Sequence, residues 1–192
     1  NLVAILTRRA FHALQQTHDI LLGLGCRISV LLDHCLRSLV DHRGKFVQGQ
    51  VWRERLEVSE GQLVCHRWDD HSALVASGSV PTRGMVVVPC SMGTVGRLAA
   101  GLAGDLLERC ADVHLKENRP LVIAPREMPW NLLHLRNLTT LAEAGARIAP
   151  PIPAWYTQPE SIDDILDFLV MRLFDSLGES LTDQKRWEGP QS

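Results

Sequence analysis

The sequence predicts an α/β fold built on a parallel sheet. Two apolar runs, Met85–Val88 and Leu121–Ala124, each end at a proline and lead through a short polar turn into a helix-like segment. Strand, turn and helix repeated in this order are typical of a parallel sheet. Ligands of such sheets bind at the carboxyl ends of the strands, so we expect the turns at residues 90–94 and 126–127 to face one crevice.

The N-terminal part of the chain continues the pattern less clearly. Short apolar runs predict a first buried strand at Leu2–Leu6 and a second strand over residues 27–32, with an amphipathic helix over residues 10–24 between them. Residues 41–72 are interrupted by glycines, and we expect one or two short strands within an otherwise irregular segment.

The C-terminal half adds three helices and a strand. Residues 95–110 are rich in small side chains, which predicts a helix that packs closely on the sheet or on another subunit. Leucines at near-helical spacing predict a helix over residues 132–144, followed by a short strand over residues 146–149. A variant capping box begins a last amphipathic helix over residues 161–177.

Length and charge narrow the function. The 192 residues suffice for one core and are few for two, so we predict a single domain over residues 1–192. The net charge of −2 argues against a nucleic-acid partner. No apolar run approaches the roughly 20 residues of a membrane span, and the first positive charges follow the first apolar run, the reverse of a signal peptide. We therefore expect a cytoplasmic protein.

The cysteines do not suggest a site. The five cysteines are scattered and never spaced as CxxC, which argues against a disulfide framework and against a zinc site. We expect most of them to be small core residues, and we expect no bound metal.

The first polar turn, Cys90–Thr94, places hydroxyl groups and a glycine between a strand and a helix. Backbone N–H groups and the positive end of a helix dipole attract an anion, so a phosphate or the polar edge of a ring fits there. Capping of the helix by Ser91 or Thr94 explains the same residues equally well. One such turn leaves both explanations open.

Cations are concentrated in the next part of the chain. Arg109, Lys116, Arg119 and Arg126 fall within 18 positions. The arginine fork and the lysine point charge suit phosphate oxygens, which predicts a phosphate-bearing ligand. A solvated surface is the alternative, above all for Arg119. Arg126 is the strongest candidate because it directly follows a buried-looking strand.

Three further side chains are candidates for the site. Glu127, beside Arg126, can act as a general acid or base, or it can cap the helix predicted after Pro129. Arg172 falls at the edge of the apolar stripe of its helix, where it either extends to solvent or meets a buried anion. Tyr156 follows a rigid proline-rich segment that fixes its phenol for hydrogen bonding.

Several motifs together resemble one family. The segments PCSMGT, ADVHLKENRPLVIAPREMPWNLLHLRN, AGARIAPPIPAWY, VMRLFDSLG and RWEG occur in this order over residues 74–189. They closely resemble the UbiX-like flavin prenyltransferases, a family of flavoproteins that is also described as phenylacrylic acid decarboxylase-like. The resemblance implies a flavodoxin-like or Rossmann-like three-layer fold and a homo-oligomer, commonly a dodecamer. FMN is then bound across subunit contacts, and the tail from about residue 179 packs on a neighbour.

The resemblance also implies a reaction. Members of the family transfer a dimethylallyl group from dimethylallyl phosphate to N5 and C6 of reduced FMN, and the prenylated FMN serves a UbiD-type decarboxylase. Fixed cations stabilise the negative charge left on the phosphate, and the electron-rich flavin stabilises the allyl fragment, so no metal is required. The main expectation is therefore a metal-independent prenyltransferase.

The matching motifs carry the family's site residues onto this chain. The FMN set is Ser91, Met92, Gly93, Thr94, Arg109, Arg126 and Asp33. The prenyl-phosphate set is Lys116, Arg126, Tyr156, Arg172 and Trp187. Glu127 and Lys116 form the catalytic pair, in which Glu127 handles the proton.

Some positions depart from the family pattern. Where the family has a Gly-Ala-Ser-Gly loop after the first strand, Leu6 and Thr7 lead directly into Arg8 and Arg9. Either the loop is rebuilt, with these arginines meeting the phosphate, or a segment that carries it is missing from this sequence, and the resemblance of RRAFHAL to the helix after the loop favours the second explanation. The lysine of PCSMKT is Gly93, and a serine after the second strand is Asp33. An aspartate near a flavin phosphate is unfavourable. A non-catalytic FMN-binding or assembly subunit is therefore an alternative. An FMN-dependent cysteine decarboxylase is a weaker one, because the chain has PREMPWNLL where those enzymes have PxMNxxMW.

Overall fold

A computed structural model describes residues 2–6, 28–32 and 63–179. One sheet of six strands has the order β3-β2-β1-β4-β5-β6, and every neighbouring pair is parallel. The strands are β1 (Leu2–Leu6), β2 (Ile28–Leu32), β3 (Leu63–His66), β4 (Gly84–Cys90), β5 (Leu121–Pro125) and β6 (Arg147–Ile148). The strand order reverses between β1 and β4, so the crevice of this doubly wound sheet lies at their carboxyl ends.

Four helices of the described residues connect and cover the strands. They are α1 (Met92–Ala99), α2 (Leu106–Lys116), α3 (Leu132–Glu143) and α4 (Ile162–Leu177), with short 3₁₀ turns at Leu74–Ala76 and Trp155–Thr157. Their apolar residues recur at helical spacing, and polar residues cap each helix at its N-terminus. None of these helices is long and apolar enough to cross a membrane.

The core lies on both faces of β4 and β5. Met85, Val87, Leu121 and Ile123 are buried in one cluster with apolar side chains of α1, α2 and α3. Alternate residues of a strand point to opposite faces, and α4 packs across β4 and β5 on the other side. The result is the predicted α/β arrangement of three layers.

One of the predicted boundaries is wrong. Pro89 does not end its strand: β4 continues to Cys90, which pairs with Pro125 after a register shift between Val87 and Cys90, whereas Pro125 is the last residue of β5. Proline is tolerated at such an irregularity because it has no N–H to donate to the sheet.

The predicted helix over residues 95–110 is in fact two helices. α1 ends at Ala99, Gly101 adopts a positive φ of 69°, and Asp105 caps the start of α2. Glycine reaches this left-handed conformation without the steric cost that other residues incur. The small residues therefore form a helix boundary instead of one continuous packing face.

Other sequence predictions lie outside the described residues. These are the helix over residues 10–24, the state of the first loop at Arg8 and Arg9, the positions of Asp33 and Trp187, and the tail after Glu179. Within residues 41–72, the described part contains one short strand, β3, as expected.

Candidate functional site

The two polar turns meet at the carboxyl ends of β4 and β5. The backbone N–H of Arg126 donates to the carbonyl of Cys90 at 3.3 Å. The backbone N–H of Met92 donates to Oε2 of Glu127 at 2.6 Å. Residues 35 positions apart are thus in contact, and the expectation that the two turns come together at one edge of the sheet is confirmed.

Ser91 caps helix α1. Its Oγ accepts a hydrogen bond from the N–H of Thr94 at 3.2 Å and lies 3.0 Å from the Thr94 hydroxyl. The capping explanation of this turn is therefore correct for Ser91. It does not exclude a ligand, because the exposed Gly93 keeps an amide without an acceptor among the described residues.

Glu127 caps a helix, although not the one expected. The helix after Pro129 begins at Leu132 and is capped by Asn131, whose side chain accepts from the N–H of His134 at 2.9 Å. The carboxylate of Glu127 instead reaches the N-terminus of α1, where a negative charge is favourable. The prediction that Glu127 caps the following helix is wrong, because strand pairing brings it closer to Met92.

A cation that the sequence analysis did not single out lies beside this turn. The guanidinium of Arg97 donates through Nε to the buried carboxylate of Glu108 and through Nη2 to the Thr94 hydroxyl at 3.3 Å. A Cβ atom built on Gly93 would lie 3.7 Å from Arg97 Nη1. Residues four apart on a helix share one face, so the spacing of Gly93 and Arg97 was the available signal.

Lys116 lies away from the turn within one chain, and the Arg109 guanidinium bonds to groups outside the turn. Lys116 ends α2 on the amino side of β5, where its Nζ is 3.4 Å from Glu117 Oε1. Arg126 follows the other end of β5, roughly 16 Å away for five residues at about 3.3 Å each. Arg109 donates from Nε to the carbonyl of Ala76 at 3.2 Å. A shared site for Lys116 and Arg126 thus requires a second copy of the chain.

Tyr156 and Arg172 are related through helix α4. The exposed Tyr156 ring makes an edge contact with Phe168 at a centroid distance of 6.2 Å. Arg172 follows Phe168 by one helical turn, and its exposed guanidinium donates to Asp175 at 3.1 Å. Of the two explanations offered for Arg172, extension to solvent describes the single chain.

Two buried titratable groups support α2. His114 is fully buried, with Nδ1 2.7 Å from the carbonyl of Cys110 and Nε2 2.9 Å from the Thr82 hydroxyl. Burial lowers the pKa of His114 and raises the pKa of the Cys110 thiol to about 12. Both groups are therefore neutral near pH 7 and act in packing.

The sequence of this chain is similar to those of known flavoproteins. Residues 1–174 match the model of the family described as Flavoprotein. The flavin prenyltransferase UbiX of Synechocystis sp. is 55% identical over 143 residues, which cover 74% of this chain and 69% of that protein. The enzyme of the same name from Halalkalibacterium halodurans is 47% identical over 125 residues, covering 65% of this chain and 61% of the relative. The matched regions thus span between 61% and 69% of the length of these two relatives.

Solved structures show the same likeness. AnUbiX (PadA1), in complex with FMN and dimethylallyl pyrophosphate, has a TM-score of 0.83 and 32% identity over 99% of this chain and 98% of the other. A dodecameric FMN-dependent UbiX-like decarboxylase from Escherichia coli O157:H7 has a TM-score of 0.78 and 31% identity over 98% and 100% of the two chains. The FMN-dependent cysteine decarboxylase SpaF, at 20% identity and a TM-score of 0.56 over 88% and 96% of the chains, shows only a shared fold.

Proposed function

We infer the activity of this chain from its family, because it belongs to the flavoprotein family and, within it, to the UbiX flavin prenyltransferases. We propose that it transfers a dimethylallyl group from dimethylallyl phosphate to N5 and C6 of reduced FMN; the allylic C–O bond breaks, and inorganic phosphate and prenylated FMN are released. The observation that carries this proposal is the contact of Glu127 with the N-terminus of α1. It brings an acid–base group to the crevice in which this fold binds ligands.

The residues around this contact fit a flavin phosphate or a polar flavin edge. The N-terminus of α1 attracts negative charge, and the exposed side chain of Arg126 adds a cation at the same edge of the sheet. Oε2 of Glu127 is engaged with Met92, whereas its Oε1 accepts no hydrogen bond from a described residue. That second oxygen is available to carry a proton while the first holds the carboxylate in place.

The prenyl phosphate is bound by residues from more than one copy of the chain. We propose that Lys116 of a neighbouring copy joins Arg126, since the two lie at opposite ends of β5 in one chain. Tyr156 and Arg172 belong to the same phosphate set, and a homo-oligomer, commonly a dodecamer in this family, is the form that completes the site. The likeness to a dodecameric neighbour supports this assembly.

The proposal extends to the recipient of the product and to the compartment of the reaction. Prenylated FMN passes to a UbiD-type decarboxylase, and the cytoplasm is the compartment that supplies the reduced flavin. The single domain over residues 1–192 stays a prediction from the chain length. The tail that packs on a neighbour and the roles of Asp33, Arg109 and Trp187 stay predictions from the resemblance.

The test is product formation under anaerobic conditions. The intact protein is incubated with reduced FMN and dimethylallyl phosphate, and the flavin is identified by mass spectrometry and absorption. A prenylated flavin supports the transferase. Bound FMN without any prenylated product refutes it and favours the non-catalytic FMN-binding subunit.

A second measurement separates the two binding sets. Replacement of Arg172 or Tyr156 by Ala is expected to weaken dimethylallyl phosphate binding and to leave FMN binding nearly unchanged. An equal loss of both ligands would contradict the assignment of these two side chains to the prenyl phosphate.

A further inference from the structure

We propose that Arg97 binds a phosphate monoester in the crevice and that buried Glu108 holds its guanidinium in position. The inference rests on the proposed function, because the phosphate is that of FMN or that of dimethylallyl phosphate. It adds a binding residue to the site.

Some N–H groups of the Arg97 guanidinium bond to the protein, and the others are accessible to solvent. Nε donates to Glu108 and Nη2 donates to the Thr94 hydroxyl at 3.3 Å, whereas Nη1 has no acceptor among the described residues. The side chain is 48% exposed. A planar fork held at one edge, with N–H groups still available at the other, is suited to the oxygens of a phosphate.

Glu108 is built to hold this cation. Its side chain is only 4% exposed, and its Oε2 accepts from the N–H of Gly104 at 2.8 Å. A carboxylate buried to this degree requires a partner charge, and Arg97 supplies it. Because α2 fixes Glu108, the guanidinium is fixed before any ligand arrives, which lowers the entropic cost of binding.

The free edge of the guanidinium points to the helix start. Its Nη1 lies 3.7 Å from the position of a Cβ on Gly93, and that Cβ would be 3.8 Å from Ser91 Oγ. Gly93 is exposed and carries no side chain that could cover the edge. The N–H of Gly93 and Arg97 Nη1 therefore offer adjacent donors to one anion, at a helix start where the N–H of Met92 already serves the Glu127 carboxylate.

The test replaces both charges at once, because removal of Arg97 alone would leave a buried carboxylate without a partner. Arg97→Gln/Glu108→Gln keeps hydrogen-bonding groups at both positions and removes the cation. Adding Gly93→Lys returns a cation to the same place, where a Cβ meets only ordinary contacts. Arg83→Gln/Glu179→Gln is the matched control, since that ion pair lies at the amino end of β4.

Binding is measured on the full chain by titration with FMN, with riboflavin, and with dimethylallyl phosphate in the presence of oxidised FMN. Loss of a hydrogen bond to a charged group predicts that the Arg97→Gln/Glu108→Gln variant binds one phosphate ligand roughly 10- to 100-fold more weakly. Riboflavin affinity is expected to be unchanged, Gly93→Lys is expected to restore most of the loss, and the control is expected to match the wild type.

Each outcome decides the inference. Weaker FMN binding with unchanged riboflavin binding identifies the flavin phosphate, and weaker binding of dimethylallyl phosphate alone identifies the allylic ester. Wild-type affinity for all three ligands, or an equal loss of FMN and riboflavin, overturns the proposal. A wild-type protein that binds both ligands and yields no prenylated flavin refutes the transferase and leaves these titrations valid.

Discussion

Glu127 has a structural and a chemical role that two substitutions separate. Its carboxylate accepts from the buried N–H of Met92 at 2.6 Å. A hydrogen bond to a charged group contributes about 1.5–3 kcal/mol. Glu127→Ala removes the acceptor and is expected to cost about 2–3 kcal/mol, which lowers Tm by roughly 4–12 °C for a chain of this size. Glu127→Gln keeps a carbonyl acceptor and is expected to cost about 1 kcal/mol.

Turnover is expected to respond differently from stability. Both substitutions remove the proton carrier, and general acid–base catalysis contributes about 10²–10⁴-fold. Glu127→Gln is therefore the informative variant: nearly native stability, retained FMN and a loss of product formation of that order. Thermal unfolding at one protein concentration and anaerobic product analysis measure the two quantities. Glu143→Gln, at an exposed position at the end of α3, is the control.

Three results would refute this reasoning. Unchanged product formation by Glu127→Gln would remove Glu127 from proton transfer. A Tm of Glu127→Ala equal to that of the wild type would show that the contact with Met92 contributes nothing to the fold. Loss of FMN together with turnover in Glu127→Gln would mean that the carboxylate orders the flavin site instead of carrying a proton.

Three further outcomes are expected. A Cβ on Gly78 would lie 2.5 Å from Glu117 Oε1 and 3.3 Å from Lys116 Nζ, both at the ends of flexible side chains. Gly78→Ala should therefore lower the free energy of unfolding by less than about 1 kcal/mol but displace Lys116 and weaken dimethylallyl phosphate binding in titrations. Unchanged binding would count against the role of Lys116 in binding the prenyl phosphate. Burial lowers the pKa of His114 below its ordinary 6.5, so as the pH falls the unfolded chain binds this proton before the folded chain does, and the free energy of unfolding decreases below about pH 6.5. Between about pH 7.5 and pH 5, the midpoint of urea unfolding should therefore fall less steeply for His114→Gln than for the wild type. Equal pH dependence of the two midpoints would contradict this. Burial raises the pKa of the Cys110 thiol to about 12, so peptide mass mapping should show its alkylation only after unfolding; labelling of the native protein would argue against the buried position.

Much of the fold could be predicted because its signals are local. The variant capping box at the start of α4 is present, with Asp164 accepting from the N–H of Ser161 at 2.9 Å. The predicted helix ends at Gly145 and Gly178 both have positive φ values, of 102° and 86°. Such signals need only a few neighbouring residues, which is why strand and helix positions followed from the sequence.

The family could also be predicted from the sequence. Several motifs in a fixed order identified it, and the match of residues 1–174 to the flavoprotein model confirms it. The roles of single residues do not follow from a motif alone, because each depends on where the fold places a side chain. Lys116 illustrates this: the motif assigns it to the site, whereas in one chain it lies on the amino side of β5.

The sequence by itself determined the alternation of strands and helices, the two polar turns at strand ends, and the family. The tertiary structure alone decided which groups those turns bring together. Glu127 meets Met92 because β4 and β5 are neighbours in the sheet, and Arg97 meets Glu108 because α1 and α2 pack together. Contacts between residues far apart in the chain depend on strand order and helix packing, and no local pattern encodes them.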